Sequence, residues 1–403
     1  MGQTVPRPDH VPVELVVDFD MYNIPGSDED VQLSYRAFQQ AYPEIFWTPH
    51  NGGHWVATRA DDIEAILRDP ERFCSRHITV PRLEGIPPTV PLQLDPPRHA
   101  PIRRPLVEGL LPRVVNALEP KIRAMMAELI DGFRPRGECE FAGEFAQVVP
   151  IAVFLDLFDC PREDRAMLLP IADLAVRGDT NEKKAGAIAE LSTYLRGRVT
   201  ERRDRPGGDL LSQVVNAEYE GQRIDPVEAE SYAATVLLAG LDTVAAMLSF
   251  IAKFLALNPA HRKQLVDHLD DEAFLRDAME ELLRRHGLAN IARTVTRDQD
   301  YKGVALRAGD IILPPNLLVG LDERRVRDPL TVDFTRPYPN HHAAFGTGPH
   351  TCPGAHLARR EVKLFLEEWL KRIPDFAIKP GTKPVQATGP ANSVLQLELV
   401  WAV

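Results

Sequence analysis

The stretch Phe345-Gly346-Thr347-Gly348-Pro349-His350-Thr351-Cys352-Pro353-Gly354 puts a cysteine in a loop of small residues that runs straight into a helix expected to begin near His356. Free N–H groups and the helix dipole favour an anion at such a place, so the thiol is expected to lean toward thiolate. A thiolate held in this way is a candidate ligand for iron. An iron centre inside a protein has to be enclosed, and the sequence on either side supplies the walls.

Helical periodicity dominates the chain. Apolar residues three and four apart with charges between them mark helices over 60–67, 114–133, 186–203, 226–258, 272–285 and 356–373. The longest opens on Asp225-Pro226-Val227-Glu228, an N-cap Asp with Pro at the first helical position and Glu three residues after the cap, and closes at Asn258-Pro259. Those limits enclose about 33 residues, enough to cross the whole molecule. Strand-like segments are few: 53–57, 310–313 and 394–401. The expected fold class is mainly α with a small β component. The 35 prolines cut the chain into short elements, and no repeat or low-complexity linker divides it, so residues 1–403 are read as one domain.

Lys and Arg total 47 against 58 Asp and Glu, and a net charge of −11 argues against a nucleic-acid partner. The first seventeen residues hold three prolines and several charges and lack the apolar core of a signal or anchor segment. The apolar run 233–257 carries Asp242, Thr243 and Lys253, which favours a buried core helix over a membrane span. Cys74, Cys139, Cys160 and Cys352 form no CxxC pair. Reduced thiols, a cytoplasmic location and no membrane association are expected.

Within the long helix, Ala239-Gly240-Leu241-Asp242-Thr243 sets a carboxylate beside a hydroxyl in an otherwise apolar stretch. A back-bonding Thr and a solvated Asp would be the bland explanation. The functional one is proton delivery into a dry pocket, since reducing dioxygen consumes protons. Glu281-Leu282-Leu283-Arg284 spaces a carboxylate and a guanidinium to pair on one helix face, a pattern that by itself usually means a surface ion pair.

Taken in order, the small-Gly-x-x-Thr helix, the E-x-x-R pair and the ungapped Phe-x-x-Gly-x-x-x-Cys-x-Gly loop resemble the cytochrome P450 family of haem-thiolate monooxygenases. The resemblance implies haem b (iron protoporphyrin IX) buried between a long distal helix and a proximal loop that supplies Cys352 as iron ligand, with Phe345 beside it. It assigns Thr243 to dioxygen, Asp242 to the proton relay and Gly240 to leaving room for oxygen. Glu281 and Arg284 become a buried structural pair whose Arg holds the segment Asp333-Phe334-Thr335-Arg336. Asp95-Pro96-Pro97-Arg98-His99-Ala100-Pro101-Ile102-Arg103 is similar to the family segment that points a His and an Arg at the haem propionates, so His99 and Arg103, with Arg293 and His350, are the expected propionate contacts. Pro101 departs from that pattern and is expected to remove a backbone donor and displace the turn.

Stretches outside these motifs, among them Val17-Asp18-Phe19-Asp20-Met21-Tyr22-Asn23, Gly320-Leu321-Asp322-Glu323-Arg324 and His356-Leu357-Ala358-Arg359-Arg360-Glu361, resemble the camphor-hydroxylating branch of the family. That likeness implies a two-iron ferredoxin partner, reduced by an NADH-dependent flavoprotein and docking over Cys352 near Arg103 and Arg104. It also implies a substrate pocket formed by Ile86, Thr89, Thr235, Leu238, Ala239, Ala289, Pro390 and Ala391. The branch places a tyrosine donor for its ketone substrate ahead of the Asp-Pro-Pro segment, whereas residues 83–90 here contain none. Ala289 and Ala391 stand where the branch has valines. A small apolar terpenoid-like substrate, a monoterpenoid or norisoprenoid, is therefore expected, with Thr89 or Thr235 as polar contact.

Three other readings compete. His341, His342, His350, Cys352 and His356 offer nitrogen and sulfur enough for zinc. A haem-thiolate protein without monooxygenase activity would keep Cys352 but have no use for Asp242 beside Thr243. A cysteine hydrolase built on Cys352 and His356 lacks an orienting third residue.

Overall fold

The computed structural model describes residues 4–82, 88–161, 163–177, 181–336 and 341–403. In chain order its helices are α1 (Val31–Ala41), α2 (Ala60–Arg68), α3 (His99–Gly109), α4 (Pro112–Phe133), α5 (Val148–Leu157), α6 (Asp164–Arg177), α7 (Asn181–Asp204), α8 (Leu210–Val215), α9 (Pro226–Leu257), α10 (Pro259–Asp267), α11 (Glu272–Arg285) and α12 (Ala355–Arg372). All six helices expected from periodicity are present. Two of the others escape it for physical reasons: α5 is almost wholly apolar, and α8 spans only six residues.

The long helix α9 starts as its sequence dictates, the Asp225 carboxylate accepting from the Glu228 N–H at 2.9 Å ahead of Pro226. Its first half, through Leu241, packs into a core shared with α3, α5 and α8, while residues from Val244 onward belong to a larger core with α4, α11 and α12. Asp242 and Thr243 lie where the two cores meet. By length and composition α9 could cross a membrane, yet 56% of its most apolar window is buried inside this packing.

Pro101 does not displace α3. The helix begins at His99, which leaves Pro101 in the first turn, where backbone N–H groups have no intrahelical acceptor to lose.

A five-stranded sheet flanks the helices in the spatial order Ile45–Thr48, His54–Ala57, Ile311–Leu313, Arg293–Val295, Phe73–Cys74. The His54–Ala57 and Ile311–Leu313 strands run parallel, with Trp55 opposite Ile312, and the other pairs are antiparallel. The single strand expected over 394–401 is a correction: the chain breaks at Leu397. Ser393–Gln396 pairs with Val385–Ala387, and Glu398–Val400 joins another sheet between Ala377–Ile378 and Glu138–Glu140. A strand that changes sheets must turn its side chains to a new face, which an alternation pattern cannot reveal.

Candidate active site

The cysteine loop is fixed by its own backbone. The Cys352 N–H donates to the Phe345 carbonyl at 2.8 Å, the Gly346 N–H to Ala343 at 2.8 Å, and Gly348 to His350 form one turn of 3-10 helix. Gly348 has φ +74°, and a Cβ there would lie 2.6 Å from the Leu67 carbonyl, so only glycine lets the loop close onto α2. Arg68 and Arg103 tie the loop from outside, through Thr347 Oγ1 at 2.8 Å and the Thr351 carbonyl.

Opposed influences act on the sulfur apart from the iron. Burial among protein atoms pushes the Cys352 thiol up, and the opposing influences of the Gly354 N–H, Arg103 and Arg359 do not outweigh it. A metal ion removes that proton outright when it coordinates the sulfur, so the ligand role stands on the metal and not on the helix dipole. Cys352 nevertheless remains accessible, the one exposed cysteine against three buried ones.

Across from the loop, α9 opens. Ala239 and Gly240 are exposed in the middle of a helix whose residues 244–252 are buried, and a Cβ placed on Gly240 would meet nothing within 4 Å. Helix α12, which follows the cysteine, packs on α9, and Leu357 in its first turn packs against the core that holds Leu241. The Thr243 hydroxyl donates to the Ala239 carbonyl at 2.6 Å, the back-bond of the bland reading, and this leaves its oxygen lone pairs to accept.

The four residues expected at the propionates form a basic cluster. The His99 and His350 rings lie 4.1 Å apart, His350 Nε2 bonds Ser75 Oγ at 3.0 Å, and His99 Nε2 is buried without a protein partner among the described residues. Burial first, and then Arg293, His99 and Arg103 together, push His350 down to about 2. Burial with Arg103 and Arg293 holds His99 at about 4. Arg293, at the head of its strand, is driven down by burial to about 10. Two guanidiniums, Arg103 and Arg293, beside two neutral imidazoles that can donate a ring N–H suit carboxylates, and a haem carries two, so the donor set fits the cofactor. Asp95, on the same side, is occupied by the Ser75 N–H at 2.9 Å.

Glu281 and Arg284 are fully buried and doubly bonded at 2.7 Å. Arg284 also reaches the carbonyls of Gly320, Pro329 and Thr331. The Asp333–Arg336 segment is held by the partner instead: Glu281 accepts from the Asp333 N–H at 3.0 Å and from Arg336 Nε at 3.1 Å.

The pocket candidates converge in part. Ala289 and Ala391 face each other in an antiparallel bridge, secured by Asn290 N–H to the Pro390 carbonyl at 2.8 Å. Thr235, one turn before Ala239 on α9, and Leu238, immediately before it, lie half-buried, and the Thr235 hydroxyl donates to the Ser231 carbonyl at 2.8 Å, so it can only accept from a ligand. The Thr89 N–H is held by Gln93 at 2.7 Å. Ile86 lies outside the described residues.

The zinc reading fails on geometry. No group of three or more metal-ligating side chains exists among the described residues, and two of the five candidates are engaged elsewhere, His342 with Glu280 and His350 with Ser75. Sequence reasoning missed the pairing of His342, Glu280 and Arg359, because Glu280 is masked by the E-x-x-R beside it.

Comparison with known proteins gives these parts a context. The protein-family model "Cytochrome P450" matches residues 156–398. A probable cytochrome P450 127A1 from Sinorhizobium fredii is 36% identical over 99% of this chain and 98% of its own length, and a steroid C26-monooxygenase from Mycolicibacterium smegmatis is 32% identical over 98% and 96%. Among solved structures, CYP101J2 superposes with a TM-score of 0.87 at 38% identity, and CYP101C1 with 0.90 at 34%, each covering 99% of this chain and 100% of its own. With matches running the whole length and a site of fitting parts, the chain belongs to the cytochrome P450 family, monooxygenases that bind haem b through a cysteine thiolate.

Proposed function

We propose that the chain hydroxylates a small apolar terpenoid-like substrate, a monoterpenoid or norisoprenoid, using dioxygen and electrons from a two-iron ferredoxin that an NADH-dependent flavoprotein reduces. The observation that carries the substrate class is the pocket wall: Thr235, Leu238, Ala239, Ala289, Pro390 and Ala391 bear no charge, and the Ala289–Ala391 bridge offers two small faces side by side. Such a wall recognises hydrocarbon shape and leaves room for a ligand bulkier than valines would admit.

In this reading Cys352 holds the iron, while Arg103 and Arg293 neutralise the propionates and His99 and His350 donate hydrogen bonds to them. Haem b, once bound, supplies the oxidising chemistry. The protein positions and protonates. Gly240 leaves space against α9, and Asp242 passes protons to Thr243, whose oxygen accepts one as its own is released toward the pocket. Glu281 and Arg284 hold the frame. The polypeptide works as one domain over 1–403 in the cytoplasm, a reading supported by four cysteines that remain unpaired.

A ligand screen following the spin-state shift of the haem tests the substrate class. Monoterpenoids and norisoprenoids should shift the spectrum at lower concentration than camphor or steroids; a preference for steroids would overturn the proposal. Turnover with a two-iron ferredoxin and NADH should then release hydroxylated product.

A further inference from the structure

Glu280 precedes Glu281 in α11 but serves a different set of partners. It is 4% exposed and accepts from Arg359 through both Nε and Nη2, the latter at 3.2 Å. It also meets His342 Nε2 at 3.0 Å. The Ala344 N–H donates to His342 Nδ1 at 3.2 Å, so Nδ1 is an acceptor and Nε2 carries the proton that goes to Glu280. Arg359, on the first turns of α12, lays its guanidinium 4.4 Å over the ring of Phe345. Two contacts, both backed by Glu280, therefore converge on Ala344 and Phe345, and the Phe345 carbonyl is the acceptor for the Cys352 N–H.

We infer that Glu280, His342 and Arg359 are positioning residues that clamp the start of the cysteine loop between α11 and α12 and so aim the Cys352 sulfur at the iron. The inference rests on the reading of Cys352 as haem ligand. None of the three touches the cofactor site in this account; they act through the Phe345 ring and the backbone of residues 343–345. The charges are well matched for the task. Although burial opposes it, hydrogen bonds from His342 and Arg359 hold the Glu280 carboxyl at about 2, so it stays ionised whenever the enzyme works. Arg359 contributes through shape as well as charge, because a planar fork both grips a carboxylate and stacks on a ring, which an ammonium cannot do.

Arg359→Met, Arg359→Lys, His342→Asn and the double variant Glu280→Gln/Arg359→Met, each as haem-loaded protein, test the clamp. The readouts are the Soret band of the reduced carbon monoxide adduct, the rate at which its thiolate-ligated form is lost, and the reduction potential. Arg359→Met should lose the thiolate band about tenfold faster than wild type, the factor a lost charge-assisted hydrogen bond represents. Arg359→Lys should restore less than half of that loss. The double variant should be no worse than Arg359→Met, because the two side chains act as a unit. Should Arg359→Met fail to hold haem, His342→Asn carries the test with a smaller loss in the same direction. Wild-type behaviour in both Arg359→Met and His342→Asn, or full rescue by Lys, overturns the clamp. A wild-type protein lacking the thiolate band would overturn the haem-ligand reading itself, and the two failures are thereby distinct.

Discussion

Glu361 is nine residues beyond Cys352, 1% exposed, and neither carboxyl oxygen has a partner among the described residues. Burial raises its pKa from the usual 4.5 to about 8. Above pH 4.5 the unfolded chain therefore sheds a proton that the folded protein retains, and folding loses stability as pH rises through that window, levelling off near 8. At pH 7 the penalty amounts to about 3 kcal/mol at most. Glu361→Gln keeps the shape without the proton, so its thermal midpoint should exceed that of wild type at pH 7.5 and match it near pH 4.5. Equal pH slopes for the two proteins would remove the argument. At Thr243 the observable is chemical: Thr243→Ala deletes the hydroxyl that back-bonds to Ala239 and, in the proposed relay, accepts a proton. Product formed per NADH consumed should fall about tenfold or more while NADH oxidation continues; unchanged coupling would count against the relay.

Among elements, α11 shows how one helix can carry two polar knots of different use, Glu281 with Arg284 and Glu280 with Arg359. Arg284→Ala would remove the doubly bonded partner of the buried Glu281 carboxylate, at a penalty of about 3 kcal/mol or more. Arg284 also ties the carbonyls of Gly320, Pro329 and Thr331, five hydrogen bonds with the two to Glu281, and the three donors of Lys cannot replace them, so both Arg284→Ala and Arg284→Lys should lower the thermal midpoint and the yield of haem-loaded protein. A stable, fully loaded Arg284→Ala protein would show the pair to be dispensable. The legibility of elements followed the same logic of local versus distant causes. Helix α9 was readable to within one residue because its cap, its first proline and its apolar stripe are all local. The Cys352 loop and the E-x-x-R pair were readable because their spacing is short. By contrast, the pairing of Trp55 with Ile312 and the switch of sheets at Leu397 depend on partners far along the chain. Burial is likewise a property of the assembled molecule, which is why the Glu361 carboxyl, unpartnered among the described residues, could not be read from the sequence.

For the whole molecule, charge decides how an electron donor approaches. The chain carries −11 overall, so an acidic ferredoxin meets net repulsion at a distance. Near the cysteine loop the sign differs locally: Arg68, 58% exposed at its side chain, bonds Thr347, and Arg103 bonds the Thr351 carbonyl, with Arg104 exposed beside it on α3. A basic rim on an acidic body attracts only at short range, within the Debye length of about 10 Å at 0.1 M salt, which shrinks to about 3 Å at 1 M. Ferredoxin-driven turnover by wild type should therefore decline as salt rises. Arg104→Glu removes part of the rim and leaves the cysteine loop contacts in place, so its kcat/KM for the ferredoxin should drop about tenfold at low salt while the haem spectrum is unchanged. Arg68 and Arg103 remain at the rim, so added salt should lower the variant's rate less steeply than that of wild type. Steady-state rates across a salt series compare the two slopes directly: a shallower slope in the variant locates the donor over the proximal loop, and identical slopes would place its docking surface elsewhere.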